Sequence, residues 1–371
     1  MAHATEDDGQ LSSTFPATVD ELTPSWLTEV LNRSPITGRG CPRARVVEFR
    51  TEPIGVGVGL LGTLHRVALT WSDGTGPASV VVKGPASGER SQAVAALFDM
   101  YDTEVGFYRD LAAATGVAVP CHHVEDDPRS QGFVLVLADL SDDATLDQIT
   151  GCPPDRAHSV VTALADLHAR HWDGNGLGTA SWLRPIDHRD LVDAFRAALR
   201  ATWPEVRARL ADDVAPILAF GDRLEAVMPA VSTALARTPV TMVHGDARLD
   251  NMFFAGDGGV TLCDWQLTGA SRGVRDLAYF ITQSLTPEDR AACERPLVDA
   301  YLARLAANGV TGYGAEEAWH DYRAATVLGL VYAIVAGGGL DQATPYSVAL
   351  TRAMLQRAAA AVADHDGASL G

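Results

Sequence analysis

The chain has 371 residues, more than one hydrophobic core usually serves, so one large domain or two lobes are expected. With 47% hydrophobic and 20% charged residues, it has the make-up of an ordinary soluble globular protein. A net charge of −18 argues against nucleic-acid or anionic-membrane partners, whose surfaces call for basic patches, and fits a cationic or neutral substrate.

Residues 1–16 are polar and without periodicity, and they read as a disordered tail with no apolar stretch of the kind a signal peptide needs. An amphipathic helix is expected to open at Thr18 and run on through Pro24-Ser-Trp-Leu. Val46–Arg50 and Thr63–Trp71 read as strands flanking the glycine-rich run Gly55-Val-Gly57-Val-Gly59-Leu-Leu-Gly62, and Asp73-Gly-Thr-Gly76 reads as a hairpin turn. Ser79–Lys83 is a short β-branched strand ending in lysine. One helix is then expected over roughly 90–114, with Val94, Leu97, Phe98, Tyr101, Val105, Tyr108 and Leu111 at three-to-four spacing. Gly132–Ala138, GFVLVLA, reads as a buried strand, and 139–143 as a hinge.

Beyond residue 150 the pattern is mainly helical: about 155–172, 188–210, 213–236, 288–307, 314–336 and 344–363. Strands Val240–His244, Met252–Ala255 and Val260–Cys263 interrupt it. The longest apolar run, Val327–Ala336, is too short to span a bilayer and reads as core. Five scattered cysteines show no CxxC or Cys/His metal spacing, so reduced thiols and a cytoplasmic location are expected. His168 and His171, three apart on one helical face, lack an evident third metal ligand and read as packed, hydrogen-bonded histidines.

Residues 241–264, TMVHGDARLDNMFFAGDGGVTLCD, carry the chemistry. Asp246, Asn251 and Asp264 follow in the order of a carboxylate facing the acceptor, an amide metal ligand and a carboxylate metal ligand. Nucleotide phosphates are handled through hard divalent cations, and Mg²⁺ prefers such oxygen donors. The segment resembles the aminoglycoside phosphotransferase-like small-molecule kinases, which include choline kinases and ecdysteroid-kinase-like proteins. Leu262-Cys-Asp-Trp-Gln266 and Gly273-Val-Arg-Asp-Leu-Ala-Tyr279 look most like the ecdysteroid-kinase-like branch. HGD in place of HRD, and DWQ in place of DFG, point away from protein kinases. The resemblance covers roughly residues 50–340.

It implies an α+β, bilobal, protein-kinase-like fold: a strand-rich N-lobe over 17–138, the hinge 139–143, and a mainly helical C-lobe over 144–371. Gly55, Gly57 and Gly59 would let backbone amides approach the phosphates of ATP. Lys83 would contact the α- and β-phosphates, steadied by Glu104, with Glu89 and Asp102 as the other candidates. Backbone groups of Leu137, Ala138 and Asp139 would hold adenine, and Asn251 and Asp264 would hold Mg²⁺. Asp246 would act as catalytic base or orient the acceptor hydroxyl. Arg248 would either neutralise the transferring group or pair with Asp250; the sequence leaves both open. His244 reads as a structural tie for the loop, and Asp276 most resembles the family's brace of the catalytic loop. The acceptor pocket is expected from helices within 155–236 and 310–340, with Trp172, Trp182, Trp203, Trp319 and Tyr322 as candidate walls. The implied reaction is transfer of the ATP γ-phosphoryl group to a hydroxyl of a small molecule by a monomer or homodimer, without nucleic acid or membrane. A nucleotide-binding scaffold without turnover, or another ATP-dependent transferase, are the alternatives.

Overall fold

The computed structural model describes residues 15–36, 44–55, 61–73, 76–127, 132–339 and 344–365. Two compact units result, one from 1–54, 62–85 and 121–139, the other from 55–61, 86–120 and 140–371. The chain is thus α+β, with a strand-rich N-terminal part and a mainly helical C-terminal part, as expected.

In the first unit, helix α1 (Pro24–Arg33) lies on strands β1 (Val46–Pro53), β2 (Gly62–Trp71), β3 (Ser79–Pro85), β4 (Cys121–Asp127) and β5 (Gly132–Ala138). The strands pair antiparallel in the order β1-β2-β3-β5-β4. The helix begins later than expected. Pro24 has no N–H to continue a helix from Thr18, so Val19–Glu21 forms a separate 3₁₀ turn and Pro24 takes the first helical position. Thr23 caps it, its hydroxyl accepting the Trp26 N–H at 3.2 Å. Leu27, Val30 and Leu31 of α1 then bury against Val67, Val80, Val82, Val134 and Val136. Each such side chain contributes ~1.5–3 kcal/mol on leaving water. Strand β5 is buried on both faces from Phe133 to Leu137, which is why its sequence is continuously apolar. Strand β4 was not expected from the sequence: CHHVEDD lacks alternation, and as an edge strand most of its side chains are only half-buried.

The second unit contains α2 (Glu89–Leu97), α3 (Met100–Asp110), α4 (Ala112–Thr115), α5 (Pro154–Arg170), α6 (Arg189–Arg209), α7 (Leu218–Gly221) and α8 (Leu224–Leu235). After them come α9 (Val274–Ser284), α10 (Pro287–Ala307), α11 (Ala315–Gly339) and α12 (Pro345–Asp364). Strand β6 (Thr241–Val243) pairs with β9 (Gly269–Ser271), and β7 (Met252–Phe254) with β8 (Val260–Leu262). Helix α11 packs against α6, α8, α9 and α12 and is buried nearly all round over 324–334, the signature of a central helix. Among the described residues no helix is long and apolar enough to cross a membrane.

Three expectations are corrected. The single helix expected over 90–114 is three, because Asp99 adopts a left-handed conformation (φ 50°) that closes α2 and lets buried Phe98 pack on Phe195 at 4.8 Å. The helix expected over 213–236 breaks into a 3₁₀ turn, α7 and α8. Residues 86–120 belong to the second unit and not to the expected N-lobe: Phe107 stacks on Trp265 at 3.9 Å, Arg184 donates to the Phe98 carbonyl, and Trp182 donates to Asp110 at 2.7 Å. The division between the units at Asp139 and Leu140 falls inside the expected hinge. Residues 1–14 of the expected tail and the tip of the 73–76 turn lie outside the described residues.

Candidate active site

The loop after β6 is fastened from below by one carboxylate. Asp276, fully buried in the first turn of α9, accepts the backbone N–H of His244 at 2.6 Å and of Gly245 at 2.9 Å. Its Oδ2 also meets His168 Nε2 at 3.2 Å, and His168 Nδ1 meets the Tyr301 hydroxyl at 2.8 Å. The pair His168/His171 is accordingly not a metal pair; His171 Nδ1 bonds to the Asn175 carbonyl instead. Gly245 has φ 87°, and a Cβ there would lie 2.0 Å from the Leu267 carbonyl oxygen, so only glycine fits this turn. His244 accepts the Asp246 N–H at Nδ1 (3.2 Å) and meets the Cys263 carbonyl through Nε2 (2.9 Å), which requires the neutral ring with its proton on Nε2. It therefore ties the loop to the end of β8. Further along, the Leu249 N–H is held by the Gln148 side chain at 2.7 Å.

Burial pushes the Asp276 carboxyl up, but the His168 hydrogen bond and the Arg275 guanidinium nearby work against it, and the pKa lies below the usual carboxylate range. A depressed folded value means that the folded state binds fewer protons than the unfolded one across that window. The stabilisation is therefore complete above the unfolded carboxylate pKa and is lost as pH falls through the folded one. Asp276→Asn removes the charge and turns an amide toward two N–H donors. We expect a stability loss of ~2–4 kcal/mol in urea unfolding at pH 7, shrinking as the wild type is acidified below about pH 4. An unchanged midpoint across that range would show that Asp276 does not brace the loop.

Asp246 stands at the centre of a hydrogen-bonded group. Asn251 Nδ2 donates to its Oδ2 and to its backbone carbonyl, both at 2.9 Å. Arg248 Nε reaches the same Oδ2 at 3.4 Å while Arg248 Nη1 bonds Asp250 at 2.5 Å. Arg248 thus faces both carboxylates, and its side chain also lines the cavity described below. Burial works against its charge, yet Asp246 and Asp250 raise its pKa further. Asp250, conversely, is pushed up by burial against the pull of Arg248. Sequence reasoning missed Tyr279. Burial and the Asp246 charge raise its phenol well above the ordinary value, so it stays protonated beside the cavity that Asp246 lines. Its only signal was its place three residues after Asp276 on the helix that carries the brace.

Asp264 follows β8 in a left-handed conformation (φ 64°), which costs a non-glycine residue ~1–2 kcal/mol and re-aims its side chain out of the strand direction. The β7–β8 hairpin brings it beside Asn251, since the Cys263 N–H bonds to the Asn251 carbonyl at 3.0 Å. With its amide nitrogen turned to Asp246, Asn251 has its amide oxygen as the atom left for a cation. An amide oxygen and a carboxylate are the hard donors Mg²⁺ takes, so the pair fits that ion when phosphate oxygens and water complete the shell. Among the described residues, no three His, Cys, Asp or Glu side chains form a self-sufficient metal site.

The expected nucleotide contacts are placed as follows. Lys83 is buried on β3, in register with Leu64 of β2 and Leu135 of β5. Glu104 is fully buried on α3 in the other unit. Leu137 and Ala138 close β5 in register with Val81 and Val80, and the Asp139 carboxylate accepts Arg66 Nε at 2.8 Å and Ser79 Oγ at 2.7 Å. Gly55 has φ 66°, which glycine alone adopts freely; Gly57 and Gly59 lie outside the described residues.

Asp246, Arg248, Asp264 and Tyr279 line one cavity of about 390 Å³ within the second unit. Its other walls come from α2, α3, α6, α11 and α12, including Phe98, Phe195, Tyr332 and Met354. The tryptophans suggested as walls are employed elsewhere. Trp203 donates to Asp222, Trp182 to Asp110, Trp172 packs on Tyr313, and Trp319 stacks on Tyr322. Helices α2 and α12 were not expected to contribute.

A family profile described as the phosphotransferase enzyme family matches residues 62–321. No curated protein matches the sequence. Solved structures share the fold. A candidate aminoglycoside phosphotransferase from Ralstonia eutropha is 14% identical with a TM-score of 0.54, covering 93% of this chain and 97% of its own. Choline kinase from Cryptosporidium parvum is 12% identical with a TM-score of 0.54, covering 86% and 89%. An ethanolamine kinase from Plasmodium vivax is 13% identical with a TM-score of 0.50, covering 85% and 84%.

Proposed function

Since this chain belongs to the phosphotransferase enzyme family, among the aminoglycoside phosphotransferase-like small-molecule kinases, we propose that it transfers the γ-phosphoryl group of ATP to a hydroxyl of a small molecule. Phosphotransfer follows from the family; the donor, the metal and the acceptor group are our reading. The observation that carries it is the convergence of Asp246, Arg248 and Asp264 on one cavity, with Asn251 bonded to the Asp246 carboxylate. Asn251 and Asp264 would hold Mg²⁺, which would supply charge neutralisation for the phosphates. Asp246 orients the acceptor hydroxyl and receives its proton. Tyr279 and Asn251 fix the direction of that carboxylate, and Arg248 places positive charge beside the transferring group. In a loose transition state little proton removal is needed early, so the positioning of Asp246 matters more than its basicity.

Incubation with Mg²⁺–ATP or Mg²⁺–GTP and a panel of hydroxylated compounds, followed by phosphorus NMR and intact-mass analysis of products, tests this. Acceptor-dependent ADP and a phosphomonoester are expected. Release of pyrophosphate would replace the reading by nucleotidyl transfer, and nucleotide binding without any product would leave a scaffold.

Lys83 and Glu104 are proposed to act together in anchoring the nucleotide. Lys83→Ala and Glu104→Ala should each lower turnover at least tenfold, and the double variant should lose less than the product of the two. Coupled residues are non-additive, whereas independent ones multiply. A fully multiplicative loss in coupled ADP-release assays would detach Glu104 from Lys83 and direct the same cycle to Glu89 and Asp102.

A further inference from the structure

The cavity that receives Asp246 has a chemical character of its own. Val94, Leu97, Phe98, Phe195, Leu350 and Met354 supply walls that offer an acceptor no hydrogen bond. Three of the hydroxyl side chains that line it, those of Thr202, Tyr332 and Ser347, are already engaged, which leaves the Thr351 hydroxyl as an isolated polar group on the wall. The Thr202 hydroxyl donates to the Ala198 carbonyl at 2.9 Å. The Tyr332 hydroxyl accepts Arg275 Nη2 at 2.5 Å. Ser347 is locked into the cap of α12, donating to the Thr344 carbonyl at 2.9 Å and bonding to the Thr344 hydroxyl at 3.1 Å. Beyond the catalytic group, the charged side chains lining the cavity are one cation and one anion, Arg90 and Glu205, both solvent-exposed.

A polycationic acceptor would bring several ammonium groups into this space, each needing a carboxylate to offset its desolvation. Asp246 and Asp264 are committed to the reaction, and Glu205 is the one acid left among the lining residues. Nor do the aromatic side chains form a cage for a single quaternary ammonium. Phe195 packs tilted on both Phe98 and Tyr332, at 4.8 and 4.9 Å, and Tyr279 packs edge-on to Tyr332. The Tyr332 ring already carries the Arg275 guanidinium 5.7 Å from its centroid, so a second cation there would meet a like charge.

We propose that the acceptor is a neutral alcohol with a predominantly apolar body, its hydroxyl presented to Asp246 from within this cavity. This rests on the phosphotransfer reading above. The volume is that of a site for a compact ligand, and the walls reward each carbon that leaves water. In the step, the alcohol oxygen bonds the γ-phosphorus and the bond from that phosphorus to the bridging oxygen of ADP breaks. ADP leaves with the electron pair, and the hydroxyl proton passes to Asp246.

The test uses the full chain with Mg²⁺–ATP and a homologous series of straight-chain primary alcohols, with cyclohexylmethanol, choline and kanamycin alongside. kcat/KM for ADP release should rise by about fourfold per added methylene until the cavity is full. The ω-amino derivative of the best alcohol, charged at pH 7, should fall at least ~10-fold below it. Ala336→Phe and Ala198→Phe, each filling part of the cavity, should lower kcat/KM for the longest alcohol at least ~10-fold. Mg²⁺–ATP affinity should be retained in both, which also shows that they fold. Turnover with choline or kanamycin but not with the alcohols would overturn the proposed class and leave phosphotransfer standing. Nucleotide binding with no alcohol stimulating ADP release would overturn it as well. Absence of Mg²⁺-dependent nucleotide binding would instead remove the reading beneath it.

Discussion

Asp246→Asn is expected to lower turnover ~100-fold or more while leaving Mg²⁺–ATP affinity within about threefold of wild type. The substitution is conservative in shape. An asparagine oxygen can still accept the hydrogen bond that Asn251 Nδ2 directs at the carboxylate, so the loop is not asked to rearrange. What is lost is the negative charge and the ability to take a proton from an acceptor hydroxyl. A group that serves the acceptor and not the nucleotide should show its loss in kcat and not in nucleotide binding. Calorimetric titration of Mg²⁺–ATP beside a coupled ADP-release assay separates the two. Tyr279→Phe is the companion variant. It removes a cavity-lining hydroxyl that we propose aims Asp246 without touching the reacting atoms, so a smaller loss, ~10-fold, is expected. Near-normal turnover in Asp246→Asn would take this residue out of the mechanism.

The difference between Asp246 and Tyr279 also marks what the sequence could disclose. Asp246, Asn251 and Asp264 lie within one short stretch whose geometry is set locally, by a glycine turn, a 3₁₀ turn and the β7–β8 hairpin. Their spacing therefore carries the arrangement directly. Tyr279, which lines the same cavity, comes by contrast from α9, and that helix was not expected at all. Its run VRDLAYFITQS is buried along its whole length, the polar stripe of Arg275, Asp276, Thr282 and Gln283 included, so that stripe marks contacts inside the fold and not a solvent face. Gln148 reaching the Leu249 amide across 101 residues is a contact of the same kind.

Breaks in helices were equally hidden. Nothing in the apolar spacing of 90–114 marks Asp99 as left-handed; the burial of Phe98 against Phe195, nearly a hundred residues away, selects the break. The cavity walls failed for a related reason. Large aromatic residues are obvious candidates, but each tryptophan in question has a partner outside the cavity, Asp110, Asp222, Tyr313 or Tyr322. Smaller side chains on α6, α11 and α12 define the space instead. Local chemistry was legible; the shape of the acceptor site, made by distant elements, was not.

Asp264→Ala is expected to abolish turnover, to below ~0.1% of wild type, and to remove the Mg²⁺ dependence of nucleotide binding. The hairpin bond from Cys263 to Asn251 sets it beside the amide proposed as the other metal ligand, and its left-handed backbone re-aims its side chain out of the strand direction. Alanine would remove one of the two protein ligands proposed for the cation, and an amide oxygen alone does not replace a charged donor. The fold should survive, because the left-handed residue is half-exposed and its neighbours Leu262 and Trp265 keep their burial. Alanine in that conformation should even leave a small strain, ~1 kcal/mol, visible in the unfolding midpoint. Asp264→Asn is the informative second variant. It restores an oxygen donor without the charge, so partial Mg²⁺ dependence should return while turnover stays at least ~100-fold down. Titrating nucleotide with and without Mg²⁺ against wild type and both variants decides the matter. Folded Asp264→Ala that binds ATP with full Mg²⁺ dependence would place the metal elsewhere, and Asn251 would lose its assignment with it.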